Sequence, residues 1–329
     1  MLLPWREAGI LGTMSTPLPR LSRLRRVLAV VLSICPGAGH AVLGEWKRGV
    51  AWLGALLLMQ ASIPLLGLPG FVLTLGVFVG AAVDVARLPP RAEGPPRVGW
   101  VLLGLVCFWS ASGVVASVTR RWLAEPFRLP SGSMQPSLYI GDQFYSDKTV
   151  ASPLRWRALE RGEVIVFTPP WQPQVHLVHR AVALEGDVVM IRGGQLHLSG
   201  QLVGRTPLGG CEGLGLALNG AEVSCRRYEE VLGEHRYQVL LDEGPGGQGM
   251  GDFPSERIRC PRGMETREEG CVVPPGHVFV LGDFRDNAMD SRFGGPVPVE
   301  NVVAAARFVH FSWTPESGVR WSRLGTTVP

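Results

Sequence analysis

Two long stretches without a formal charge constrain this chain more than any other feature. Residues 49–83 contain no Asp, Glu, Lys or Arg, and neither do residues 98–119. A bilayer is crossed by a helix of about 20 apolar residues. The first stretch is too long for one crossing and holds Pro64 and Pro69. It reads as two helices, 49–67 and 69–87, joined by a tight turn, and the second stretch reads as one helix, 98–119. An earlier uncharged stretch, 27–44, is interrupted by Cys35-Pro36-Gly37-Ala38-Gly39-His40, which would break a helix. It reads as a half-inserted or interfacial hairpin over residues 27–48. Residues 1–26 read as a flexible basic tail, with Met14 as an alternative start.

Charge then orients the segments. The net charge is +4, yet residues 120–329 carry 22 basic and 24 acidic residues, so the excess lies in the N-terminal flank. Basic residues beside apolar helices favour the cytoplasmic side. Arg20, Arg23, Arg25, Arg26, Lys47 and Arg48 put the N-terminal side inside, and Arg87, Arg91 and Arg97 do the same for the linker 87–97. Three crossings leave residues 120–329 outside, with Arg120 and Arg121 on the wrong side for the rule. The expectation is a multi-pass protein of the plasma (inner) membrane, with the lipid bilayer as a partner and an extracytoplasmic domain. A slightly acidic globular part speaks against nucleic acid.

That domain reads as mainly β. Short Val-rich apolar runs at 164–167, 177–184, 188–191, 278–281 and 302–311 are strand-length and sit between turn signals. Cys35 and Cys107 lie in apolar segments, whereas Cys211, Cys225, Cys260 and Cys271 lie in a Gly-rich stretch, 205–273, which reads as a loop-rich insert. Four cysteines allow three pairings. Short closures favour 211 with 225 and 260 with 271, in an oxidising compartment. No CxxC or HxxxH spacing calls for a metal, and no motif calls for a cofactor.

Three clusters could carry chemistry. Residues 130–138 read Pro-Ser-Gly-Ser-Met-Gln-Pro-Ser-Leu, an exposed turning loop that suits a nucleophilic hydroxyl facing backbone N–H groups. Read alone, it is more simply an ordinary turn. Residues 175–182 read as a strand in which His176 and His179 point to opposite faces, so only one can serve a given nucleophile. Residues 282–292, Gly-Asp-Phe-Arg-Asp-Asn-Ala-Met-Asp-Ser-Arg, follow a buried strand with dense alternating charge. A carboxylate there could orient a histidine, and Asp–Arg pairs could stiffen the loop.

Together the clusters resemble, in the same order, the boxes of type I signal peptidases. Residues 131–138 resemble the Ser-Gly-Ser-Met-x-Pro-Thr-Leu box, with Ser137 in place of Thr. Residues 161–167, 179–187 and 282–292 resemble the three boxes that follow, and the resemblance spans most of 122–313 outside the insert. It implies a membrane-bound serine endopeptidase with a mainly-β catalytic domain behind transmembrane helices, removing signal peptides from exported preproteins. It implies Ser133 as nucleophile, and its N–H with the Ser131 hydroxyl as oxyanion donors. Arg180, Asp283, Arg285 and Arg292 would be structural support. The secretion translocon is a further partner it suggests.

Two departures are coupled. Bacterial members use a lysine base where this chain has His179, and the hydroxyl that orients that lysine is replaced by Ala288. Val178-His179-Arg180 resembles instead the branch that uses a Ser–His pair with acidic support. A lysine must be strongly desolvated to act as a base, whereas a histidine starts near 6.5 and needs only a fixed tautomer. Asp290 is the first choice for that carboxylate and Asp286 the second. The competing expectation is a catalytically silent paralogue that binds signal peptides or assists a secretion complex.

Overall fold

The structure, a computed structural model, describes residues 20–66, 68–88, 98–151, 153, 155–212, 214, 217–218, 221–222, 224–243, 252–256 and 259–329. Contacts divide the chain into two units: residues up to Gln60 with Val72–Val114, and Ala61–Phe71 with Val115–Pro329.

The N-terminal helices are α1 (Arg20–Leu32), α2 (Ala38–Leu43), α3 (Trp46–Leu66), α4 (Leu68–Arg87) and α5 (Val98–Val118), and a single turn, α6 (Ser291–Gly294), lies far along the chain. The Pro-Gly break ends α1, and Gly37 at φ +101° opens α2. Gly39 sits so close to α1 that a Cβ there would lie 2.2 Å from the Ala29 carbonyl oxygen. Helix α1 begins at Arg20, inside the stretch expected to be a flexible tail. Its apolar positions Ala29, Val30 and Leu32 pack with Val42, Leu43 and Val85, which is reason enough for ordered backbone. Residues 1–19 of the tail, Met14 included, lie outside the described residues, as do Gly67 and the linker residues 89–97 with Arg91 and Arg97. Pro69–Arg87 and Val101–Leu123 are long and apolar enough to cross a membrane. The one carboxylate in α4, Asp84, is matched: it accepts from Arg48 at 2.9 Å and from Trp52 Nε1 at 3.0 Å, and His40 Nε2 lies 3.0 Å away.

The second unit is β-rich. In chain order its strands are β1 (Ala124–Arg128), β2 (Asp142–Asp147), β3 (Val164–Phe167), β4 (Leu177–Leu184), β5 (Val188–Arg192), β6 (Gln195–Leu198), β7 (Gln201–Leu202) and β8 (Gly204–Gly210). Then come β9 (Ala217–Leu218), β10 (Ala221–Glu222), β11 (Cys225–Leu232), β12 (His235–Asp242), β13 (Glu265–Arg267) and β14 (Gly270–Val272). The last four are β15 (His277–Leu281), β16 (Val297–Pro298), β17 (Val302–Thr314) and β18 (Gly318–Val319). The main sheet runs β1-β2-β17-β3-β4-β15-β16, with β18 paired to β17. A second sheet runs β13-β14-β5-β6-β7, a third β12-β11-β8, and β9 pairs with β10.

The insert is more ordered than a loop-rich elaboration. Along β12 the alternate residues Tyr237, Val239 and Leu241 turn inward and share one core with Val182 and Ala183 of β4, Ile191 of β5 and Phe279 and Leu281 of β15. That two-residue period ties the Gly-rich stretch to the main sheet. Disulfides join Cys211 to Cys225 and Cys260 to Cys271.

Candidate active site

The serine loop follows β1 and is fastened by apolar side chains. Leu129, Met134 and Leu138 are buried with Phe144, Val164, Val166 and Val178, so positions 129, 134 and 138 pin the turn, while Pro130 and Ser131 between them are exposed. Ser131 is exposed and Ser133 half-buried, their hydroxyl oxygens 3.4 Å apart. The Ser133 carbonyl accepts from Phe284 N at 2.9 Å, and the Ser133 N–H meets no acceptor among the described residues. The loop is also tied to β4, because Arg180 donates to Ser137 Oγ at 3.1 Å.

His179 sits in β4, between β3 and β15. It pairs with Ile165 across the ladder, and its ring lies 5.8 Å from that of Phe167. Only 3% exposed, it leaves Nδ1 buried without a hydrogen-bond partner. Burial pulls its pKa below the ordinary 6.5; Asp290 and then Asp283 act in the opposite direction, and Arg292 adds to the lowering. The imidazole is therefore neutral near pH 7. His176, just before the strand, is exposed, with Nδ1 3.2 Å from Thr168 Oγ1.

The third cluster surrounds the end of β15. Leu281 pairs with Arg180, and the next residue, Gly282, has no room for a side chain. A Cβ there would lie 2.3 Å from the Ala288 Cβ and 2.8 Å from the Ser133 carbonyl. So Gly282 lets the serine loop and Ala288 close on the strand end. The side chain of Arg180 grips Asp283 through Nε at 2.8 Å and Nη2 at 2.6 Å, and also donates to the carbonyls of Gly162 at 2.6 Å and Pro329 at 2.5 Å. Arg285 donates to Gly282 O at 3.1 Å and pairs with Glu230. Arg292 holds Asp290 through Nε at 2.8 Å and Nη2 at 2.8 Å, and donates to the Arg285 carbonyl. All six of these charged groups are buried. Such pairing is what makes buried charge tolerable.

The structure brings Ser131 to Ser133 and the Ser133 backbone to Phe284. Among the described residues it forms no hydrogen bond from His179 to Ser133, Asp290 or Asp286. Asp290 has both oxygens committed, to Arg292 and to the Gly282 N–H at 3.2 Å, so it reaches His179 only through space. Asp286 turns elsewhere and accepts from Asp242 N at 2.8 Å, with burial raising its pKa. Sequence reasoning missed Glu230 and Tyr237, buried partners supplied by β11 and β12. The parity of Tyr228, Glu230 and Leu232 along β11 was the available signal, since Leu232 marks the inward face.

Comparison with known proteins adds the following. The family described as signal peptidase, peptidase S26, matches residues 102–313. The signal peptidase I of Pseudomonas fluorescens is 32% identical over 235 residues, covering 64% of this chain and 74% of that protein. The signal peptidase I of Pseudomonas aeruginosa is 31% identical over 221 residues, covering 60% and 69%. The signal peptidase I of Aquifex aeolicus is 30% identical over 211 residues, covering 59% and 78%.

Proposed function

This chain belongs to the signal peptidase family, peptidase S26, and from that premise we propose that it cleaves signal peptides from exported preproteins with Ser133 as nucleophile and His179 as general base. As a member it is a serine endopeptidase. The observation that carries the rest is the imidazole at position 179: buried, neutral, unbonded at Nδ1, and acted on by Asp290 and Asp283 of the loop whose Phe284 N–H holds the Ser133 carbonyl.

In the proposed cycle Ser133 Oγ attacks the scissile carbonyl carbon and His179 takes the hydroxyl proton. The carbonyl oxygen, now an anion, receives the Ser133 N–H, which has no other acceptor among the described residues, and the Ser131 hydroxyl. The imidazolium then gives its proton to the leaving amine. Water, deprotonated by the same imidazole, attacks the acyl carbon; the ester bond to Ser133 Oγ breaks, and the imidazolium returns its proton to that oxygen, restoring the serine and the neutral base. Asp290 and Asp283 favour the imidazolium through space. The missing Ser133–His179 hydrogen bond fits a resting site that tightens on substrate, as catalytic bonds often do.

The topology belongs to the same reading. Pro69–Arg87 and Val101–Leu123 serve as membrane crossings, α3 adds a third, and residues 120–329 work on the extracytoplasmic face beside the lipid. The basic flank of α1 and α3 and Arg87 support that orientation.

The test is cleavage of a purified preprotein. The wild type should give the mature product, and Ser133→Ala and His179→Ala should each lower kcat by about 10³-fold or more. His179→Lys should be nearly inactive, because Ala288 offers the ammonium no acceptor. A silent, binding-only protein is favoured by the unmade Ser133–His179 bond. It predicts no product from the wild type and unchanged peptide binding in both alanine variants.

A further inference from the structure

The three-stranded sheet β12-β11-β8 buries two polar side chains where apolar ones would pack more cheaply. Glu230 is 1% exposed and Tyr237 2%, and the two face each other across the β11–β12 ladder. The Tyr237 hydroxyl donates to Glu230 Oε2 at 3.2 Å. Desolvating a carboxylate costs several kcal/mol before any pairing returns it, so cohesion of the sheet alone gives no reason for Glu230.

What the pair touches gives one. Glu230 receives both terminal nitrogens of Arg285, Nη1 at 3.1 Å and Nη2 closer still. Arg285 in turn donates to the carbonyl of Gly282, at the close approach of β15 to the serine loop. The ring of Tyr237 lies 3.8 Å from the guanidinium carbon of Arg180, the residue that follows His179. Two backbone N–H groups of β12 reinforce the contact: Leu240 N donates to the Asp283 carbonyl at 2.8 Å, and Asp242 N to the side-chain Oδ2 of Asp286 at 2.8 Å. The Cys211–Cys225 disulfide packs with Leu240 against Phe284, whose N–H holds the Ser133 carbonyl. The sheet thus reaches both arginines that flank the serine loop.

We propose that Glu230, with Tyr237, is a positioning residue of the peptidase site, fixing Arg285 and Arg180 so that residues 282–284 hold Ser133 in register with β4. The inference rests on the peptidase reading above. It assigns the disulfide-bridged insert a part in the chemistry without contact to substrate. Glu230 and Arg285 are not among the charges that tune His179. The pair therefore acts through geometry, and its loss should leave the pH dependence alone.

The experiment measures kcat, KM and the acid limb of kcat/KM on a preprotein, with the full-length protein in detergent. The variants are Glu230→Gln, Tyr237→Phe, Ser133→Ala and, as a surface control, Glu229→Gln, whose side chain pairs with Arg236. Displacing a reacting group by about 1 Å costs about 10²-fold in rate. Glu230→Gln should therefore lower kcat by at least about tenfold with KM within about twofold. Its acid limb should stay where the wild type has it, and Tyr237→Phe should fall between, with Glu229→Gln unchanged. A Glu230→Gln enzyme that is folded and within about twofold of wild type in kcat would overturn the proposal. If Glu230→Gln does not fold, Tyr237→Phe decides, because it keeps the ring on Arg180 and removes only the donor to Glu230: wild-type kcat there overturns the proposal and a reduced kcat supports it. Cleavage that survives Ser133→Ala would sink the peptidase reading instead, so the two failures are distinguishable.

Discussion

The loop that carries Ser133 and the loop from Gly282 to Arg292 meet at the Phe284 N to Ser133 O hydrogen bond, yet the chain fixes them by different means. The serine loop is pinned by apolar side chains, Met134 and Leu138 sunk into the core beside Phe144 and Val164. The other loop is pinned by three buried ion pairs, Arg180–Asp283, Glu230–Arg285 and Asp290–Arg292. Apolar burial is non-directional and scales with the area removed from water. Bidentate ion pairs are directional, and a half-broken one is worse than none. One loop thus presents a half-buried hydroxyl between its apolar anchors, while the other holds backbone groups at set positions around Gly282.

The difference can be broken from the charged side first. Asp283→Asn leaves the fully buried Arg180 without its carboxylate, and removing one partner of a buried pair costs about 3–5 kcal/mol. Denaturant unfolding should show that loss. Removing both charges, as Arg180→Met with Asp283→Leu, should recover much of it, since well-packed apolar residues replace a buried pair at little cost. A double variant no more stable than Asp283→Asn would mean that the Gly162, Ser137 and Pro329 contacts of Arg180, not its charge pairing, hold the region.

On the apolar side, Met134→Ala removes a fully buried side chain and should cost about 2–5 kcal/mol, graded by how far the pocket collapses. Met134→Leu conserves volume and should cost less than about 1.5 kcal/mol. No such graded series exists for Asp283. If Met134→Leu proved as damaging as Asp283→Asn, the two loops would not be held by distinct forces after all.

How much of this the sequence disclosed follows the same divide. The serine loop, the histidine strand and the 282–292 box are local in sequence, so turn residues and alternation point to them. The Val-rich runs became β3, β4, β5, β15 and β17 because short continuous apolar runs bounded by turns suit strands buried on both faces, as β3, β4 and β15 are. Glu230 and Tyr237 were hidden because their partners lie 55 and 57 residues away in sequence, and a Gly-rich stretch with four cysteines looked like loop. The commitments of Asp290 to Arg292 and of Asp286 to Asp242 were equally out of reach, because two carboxylates in one short segment look alike until the backbone aims them. The start of α1 at Arg20 was missed because basic residues in its first turns masked the apolar positions that follow.

The smallest effect tests the electrostatics that join the two loops. Burial lowers the pKa of His179 below 6.5, so the unfolded chain binds a proton there at a pH where the native state still refuses it. The stability contributed by the neutral native imidazole is complete above pH 6.5 and drains away as pH falls toward the folded-state value. His179→Gln should flatten that part of the stability curve. In catalysis, the acid limb of kcat/KM should lie below pH 6.5, because the base stays unprotonated longer than a free imidazole. Asp290 is the larger of the two carboxylate influences raising His179, so Asp290→Asn should move the limb to still lower pH. The same change should lower kcat, since the imidazolium formed during attack loses the stronger of its two carboxylate influences. An acid limb at or above 6.5 in the wild type would mean that desolvation does not govern the base. A limb unmoved by Asp290→Asn would mean that the carboxylate serves Arg292 alone, and that the charged loop shapes the site without tuning it.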